Sequence, residues 1–183
     1  MNKKESIVAA ALRLLTENGI HNTPMSAIAK SAGTGMGTIY NYYPNKALLI
    51  NEIYLDIKEK EKAVFAAFNV HKPIKTQFED YFESIITFFI ENPVYYRFME
   101  QLQASPMITK ENRAKGEMSI APFLDLLVKG KEERVIKAIE TEEILTFVGG
   151  AVLSYLRWYF SQEGKTKSAM ENQIKMVWDA IKE

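Results

Sequence analysis

TPMSAIAKSAGTGMGTIYNYYPNKALL, residues Thr23–Leu49, decides the fold. Thr23 is a good helix N-cap, and Pro24 suits a first helical position, where no backbone N–H is needed. Met25, Ile28, Ala29 and Ala32 then recur at i, i+3, i+4 and i+7, one apolar helical face. Gly33 ends that helix, because glycine enters the left-handed region without steric cost. A second short helix is predicted from about Met36 to Tyr42, with Ile39 and Tyr43 as its inward anchors. Gly37 costs it about 1 kcal/mol of propensity relative to alanine, and so short a helix is unstable alone, so its neighbours must hold it. Met36, Gly37, Thr38, Asn41 and Tyr42 are left facing outward. Pro44 closes it, and Asn45 can cap a following helix. Two short helices around a tight glycine turn form a helix-turn-helix, a unit that presents its second helix to a DNA groove.

Upstream, Ile7, Ala10, Ala11, Leu14 and Leu15 give one apolar face over about residues 4–18, closed by Gly19. Downstream, a long helix is expected over about 45–69, with Leu48, Leu49, Ile53, Ile57 and Val64 on one drifting face and Lys58–Lys62 a solvated charged run. Further helices follow at about 74–91 and from Asn92-Pro93 to a break at Ser105-Pro106. Another is expected over 109–128, with Pro122 a kink or boundary, and then a polar loop over 129–140. Two more cover the stretch after Thr141 and residues 166–181.

The helix after Thr141 is apolar over most of its circumference. Ile144, Phe147, Val148, Ala151, Val152, Tyr155, Leu156 and Tyr159 form a stripe, while Leu145, Gly149, Leu153 and Trp158 lie on other faces. A helix so coated needs cover on more than one side. With the last helix (Met170, Ile174, Val177, Trp178, Ile181) it suggests a four-helix interface between two copies. The expected interface set is Leu145, Gly149, Val152, Leu153, Leu156, Trp158, Ile174 and Trp178.

Residues 5–50 resemble the N-terminal DNA-binding domain of TetR-family transcriptional regulators. The resemblance rests on Ile7, Ala10, Leu14, Gly19, Thr23, Ile28, Ala29 and Gly33, and above all on the run Gly37-Thr38-Ile39-Tyr40-Asn41-Tyr42-Tyr43-Pro44-Asn45-Lys46, with Leu49. Where the family commonly has Val-Ser-Lys/Arg after the first turn glycine, this chain has Thr34-Gly35-Met36, so the basic residue opening the second helix is absent. The resemblance implies phosphate contacts from Thr23, Tyr40, Tyr42 and Lys46, with Ser26 a further candidate, and base-facing positions at Met36, Gly37, Thr38 and Asn41. Asn41 can bond adenine in a bidentate manner, and Met36 offers apolar contact to a thymine methyl. Lys46 opposes the dipole of the helix it opens, but beside a phosphate ammonium and helix terminus attract the same anion. The resemblance also implies a small-molecule pocket in the helical body, with Phe65, Phe82, Ile86, Phe89, Met99, Leu102, Met118, Phe147 and Tyr155 as candidate liners suited to an apolar or aromatic effector.

Composition sets the outer bounds. With 47% hydrophobic and 25% charged residues the 183-residue chain is globular rather than disordered. No run of 18 apolar residues and no signal-peptide pattern occurs, so no membrane association and a cytoplasmic location are expected. Without cysteine there is no disulfide or thiolate site, and His21 and His71 lack metal-ligand spacing. No cofactor is expected. Net charge is zero, yet residues 1–50 set Lys3, Lys4, Arg13, Lys30 and Lys46 against Glu5 and Glu17, a net +3 that leaves −3 on the rest. A basic end on an acidic body suits contact with phosphates. The Gly33-x-Gly35-x-Gly37 run follows a helix rather than a strand, and no G-x-S-x-G occurs, so no catalytic set is visible.

The expectation is therefore an all-α chain of about nine helices. Residues 1–48 would form the helix-turn-helix domain and 49–183 a regulatory and dimerisation body. The partners would be double-stranded DNA, a second copy and an effector. The competing class is a ligand-binding or enzymatic helical bundle whose first three helices merely pack.

Overall fold

The computed structural model describes residues 2–65, 69–103, 105–161 and 167–183, without the side chains of Lys167 and Ser168. Among them are ten α-helices: α1 (Lys3–Asn18), α2 (Met25–Ser31), α3 (Met36–Tyr42), α4 (Lys46–Phe65), α5 (Ile74–Glu91), α6 (Pro93–Leu102), α7 (Lys110–Glu117), α8 (Ala121–Glu132), α9 (Thr141–Ser161) and α10 (Lys167–Ile181). The only β feature among the described residues is an isolated bridge between Ile136 and Lys182. The chain is all-α, as its periodicities require. Where one helix was expected over 109–128 there are two, separated by a 3-10 turn at Met118–Ile120, and Pro122 sits in the opening turn of α8. The long helix was expected to reach 69, but Asn69 is not helical; residues 66–68 and the expected start of the last helix at 166 lie outside the described residues.

The described residues form two compact units, Met1–Lys60 with Asn92–Met118 and Glu61–Glu91 with Ser119–Glu183. Neither ends at residue 48, the boundary read from the sequence. The reason lies in α4. Asn51, buried, donates to the carbonyls of Ala47 and Met107 (both 2.8 Å) and accepts from Thr109 N (3.1 Å) and Asn112 Nδ2 (2.8 Å). Tyr54 lies so close to Gly116 that a Cβ there would meet its Cζ at 2.8 Å. Apart from the bond to Ala47 O within α4 itself, these contacts tie the N-terminal part of α4 to α7 or the loop before it.

In the first unit, α1 packs on α2 and α6. Asn2 and Glu5 exchange side-chain and backbone hydrogen bonds in a capping box that opens α1. Ile7, Ala11, Leu15, Ile28, Ile39, Leu49 and Ile53 form its sealed core. Leu48, expected on the inner face of α4, is half exposed; Leu49, Ile50 and Ile53 take the interior.

In the second unit α5 packs against α8, α9 and α10. Phe78 lies at its centre, 5.3 Å from the Trp178 ring, 5.8 Å from Phe82 and 6.1 Å from Phe123. The charged run of α4 is not wholly solvated: Glu61 is buried, and Ser119 Oγ lies 3.3 Å from its Oε2. Residues 129–132, expected in a loop, still belong to α8, and the loop that follows is tied down. Val135 and Ile136 N–H both bond Gly130 O, Ile136 is buried, and Lys137 N and Glu183 N tie it to the C-terminal end through Ile181 O and Val135 O.

Candidate nucleic-acid interface

The turn between α2 and α3 is a left-handed helix ending. Gly33 has φ +65°, its N–H bonds Lys30 O (3.2 Å), and Thr34 N–H bonds Ala29 O (3.0 Å). This pairing satisfies α2's last carbonyls and turns the chain sharply into α3. There Ile39 and Tyr43 are buried, as their spacing predicts. The opposite side is bare: Met36 is 41% exposed, Tyr40 and Tyr42 45% each, Gly37 and Asn41 are exposed and Thr38 is half-buried. Ser26 and Lys30 are exposed on α2. From Thr23 to Asn45 the chain holds a single charged residue, Lys30.

Two expected phosphate contacts are placed otherwise. Thr23 is 1% exposed, and its hydroxyl donates toward Gly19 O (2.9 Å) and Leu14 O (3.2 Å). It seals the end of α1 instead of capping α2, whose N-cap is Pro24 without a side-chain bond. A hydroxyl enclosed in this way does not reach a phosphate. Lys46 is half-buried, and its ammonium donates to Ile20 O (2.8 Å) and Thr23 O (3.2 Å), leaving one N–H of three. Asn45 caps α4 as expected, accepting from Leu48 N at 2.9 Å.

Pattern reading missed several supporting residues. Gln101 on α6 accepts the Ile20 N–H at 3.1 Å, so the loop entering α2 is held by α6 and by Lys46 of α4. Tyr43 donates to Glu52 Oε1 (2.9 Å), which also pairs with Lys4 (2.8 Å). Burial, with the Glu52 hydrogen bond and charge, pushes the Tyr43 phenol well above its ordinary value. Arg13 donates to Ser31 Oγ at 2.7 Å. These partners lie 9 to 81 positions apart, and no local periodicity signals them.

The expected effector-lining residues are distributed over both units. Phe65, Phe82, Ile86, Phe89 and Tyr155 are buried in the second unit, whereas Met99 and Leu102 belong to the first. Met118 and Phe147 are 69% and 48% exposed. The expected interface set divides too. Val152, Leu156, Ile174 and Trp178 are buried within their own chain, so only Leu145, Gly149, Leu153 and Trp158 keep exposed area. The open face of α9 is instead Phe147, Gly150, Ser154 and Trp158, spaced i, i+3, i+7 and i+11, with Ala151 half-buried beside them. A groove of about 400 Å³ beside it is lined by Ser154, Tyr155 and Trp158 of α9 with Ala169, Asn172 and Gln173 of α10.

A helix-turn-helix with a bare second helix, joined to a larger helical body, defines the class of DNA-binding transcriptional regulators, and comparison with known proteins narrows it. Residues 7–53 match the family described as bacterial regulatory proteins, tetR family, and residues 73–182 match the tetracyclin repressor-like C-terminal domain. The chain belongs to the TetR family. It is 29% identical over 159 residues to the HTH-type transcriptional regulator UidR of Escherichia coli K12, spanning 81% of this chain and 78% of that protein. With the regulator YhgD of Bacillus subtilis it shares 29% over 140 residues, 75% of this chain and 71% of that one. A solved TetR family regulator from Marinobacter aquaeolei VT8 superposes with a TM-score of 0.86 at 24% identity, covering 99% of this chain and 96% of that chain. This last likeness speaks to fold alone.

Proposed function

We propose that this DNA-binding regulator is a ligand-responsive repressor acting in the cytoplasm, and that it binds a pseudo-palindromic operator as a homodimer. The observation that carries the reading is the two-sided character of α3. Its inner residues Ile39 and Tyr43 are locked into the core, while Met36, Gly37, Tyr40, Asn41 and Tyr42 stand in solvent. Exposed side chains on a helix anchored from its other face suit a surface built for a partner, and a major groove admits one helix. Base-edge contacts fall to Met36, Gly37, Thr38 and Asn41, and phosphate contacts to Ser26, Tyr40 and Tyr42. The open apolar stripe on α9 supports pairing through α9 and α10, which would set two α3 helices about 34–36 Å apart along one face of DNA. The aromatic interior of the second unit supports an apolar or aromatic effector, whose preference for one arrangement of the helices would shift DNA affinity.

The test is duplex capture from a random pool, followed by titration of the enriched duplex at several salt concentrations. Salt-dependent binding at two related half-sites is expected, weakened across all sequences by Tyr42→Ala and relaxed in specificity by Asn41→Ala. Capture of no duplex at any salt concentration would overturn the reading.

A further inference from the structure

We infer that α3 is a reader of A·T base pairs, so that the operator positions beneath it are occupied by adenine and thymine. The inference rests on the DNA-binding reading above and adds the chemistry of the sequence recognised. In the major groove each base presents a different target. Guanine is read chiefly by Arg or Lys on O6 and N7, cytosine by Glu or Asp accepting from N4, adenine by Asn or Gln on N6 and N7, and the thymine methyl by apolar groups.

The outward side chains of α3 are Met36, Tyr40, Asn41 and Tyr42, with Thr38 half-buried beside them. No cation and no carboxylate occurs on this helix, nor on its flanks from Ser31 to Asn45. The usual partners of guanine and cytosine are therefore missing from the whole reading segment. The usual partners of adenine and thymine are present: the Asn41 amide for the first, the Met36 thioether chain and the Thr38 methyl for the second. The charged residues nearest in sequence do not supply the missing groups. Lys30 lies on α2, the helix that crosses the backbone in this motif, and Lys46 is bonded to Ile20 O and Thr23 O.

Backbone geometry favours close approach. Gly37 sits one turn before Asn41, and a Cβ built on it meets nothing within 4 Å. A base edge can therefore come against the α3 backbone at the level where Met36 and Asn41 flank it. Shape fits as well as chemistry, because a thymine methyl fills space beside a flexible thioether that a cytosine edge would leave empty.

The experiment uses the full chain and the duplex it selects. Expected are half-sites whose central positions are A·T. Replacing the central thymines with uracil, which removes only the methyl, is expected to weaken binding about fourfold per lost methyl contact. Met36→Ala should shrink that thymine-to-uracil ratio. Asn41→Ala should cut discrimination against G·C at one position by about tenfold. Tight binding to a half-site centred on G·C pairs, or equal affinity for thymine and uracil duplexes, would overturn the inference while leaving DNA binding intact. Selection of no duplex would overturn both.

Discussion

Lys46 shows how one side chain can belong to a motif and still work inside the protein. Its ammonium clamps Ile20 O and Thr23 O, and Ile20 N–H is held from the other side by Gln101. Lys46→Ala should lower stability by about 1–3 kcal/mol, the cost of losing charge-assisted bonds to carbonyls, measured by urea denaturation. It should weaken DNA binding through the displaced loop while changing the salt slope by less than the one unit a lost phosphate contact gives. A full unit of slope would return Lys46 to the phosphates. Thr23 teaches the same lesson: Thr-Pro before an apolar period reads as a cap, yet the hydroxyl's acceptors, Leu14 O and Gly19 O, lie behind it in the chain. The residues that were legible, Ile39, Tyr43 and Asn45, have roles fixed by local spacing alone. Gln101 and Glu52 were not, because their partners are set by tertiary approach.

At the level of helices, α4 and α7 meet at a glycine. Adding a Cβ to Gly116 would place it 2.8 Å from Tyr54 Cζ, with ring atoms on a buried side chain that has little room to retreat. Gly116→Ala should cost about 1–3 kcal/mol by overpacking, and Tyr54→Leu in the same chain should recover part of it, a coupling read from a double-mutant cycle in thermal unfolding. Helix α9 carries a different kind of ambiguity. Its apolar residues surround most of the axis, so periodicity could not say which side met its own core. The structure turns Val148, Val152 and Leu156 inward and leaves Phe147 and Trp158 open. Phe147→Glu with Trp158→Glu should yield monomers by sedimentation with a melting temperature changed by only a few degrees. Val152→Glu should instead unfold the chain, because it buries an unpaired charge. A double variant that stays dimeric would place the interface elsewhere.

Across the whole molecule, the two units share a sensitivity to alkali. Burial raises the Tyr43 phenol in the first unit, helped by Glu52, and the Tyr81 phenol in the second, helped by Glu61. A raised folded value means the native state keeps a proton that the unfolded chain releases. Stability is thus held in full below the ordinary tyrosine value of about 10 and falls as pH climbs above it. Urea midpoints taken from pH 8 to 11.5 should show this decline, and Tyr43→Phe and Tyr81→Phe should each flatten it. The division into units was the least legible feature of the sequence. It depends on Asn51 meeting Met107, Thr109 and Asn112, residues 56 to 61 positions away, and no helical period encodes a meeting at that range.

The scarcity of charge on α2 and α3 also bears on how the protein searches a chromosome. Affinity for random duplex comes almost wholly from counterions displaced by cations, and between Thr23 and Asn45 only Lys30 is available to displace them. A molecule resting on unrelated sequence is then held briefly. It hops more than it slides, and a larger share of the pool stays in free solution instead of being trapped on the bulk of the genome. Occupancy of a single site then calls for few copies per cell.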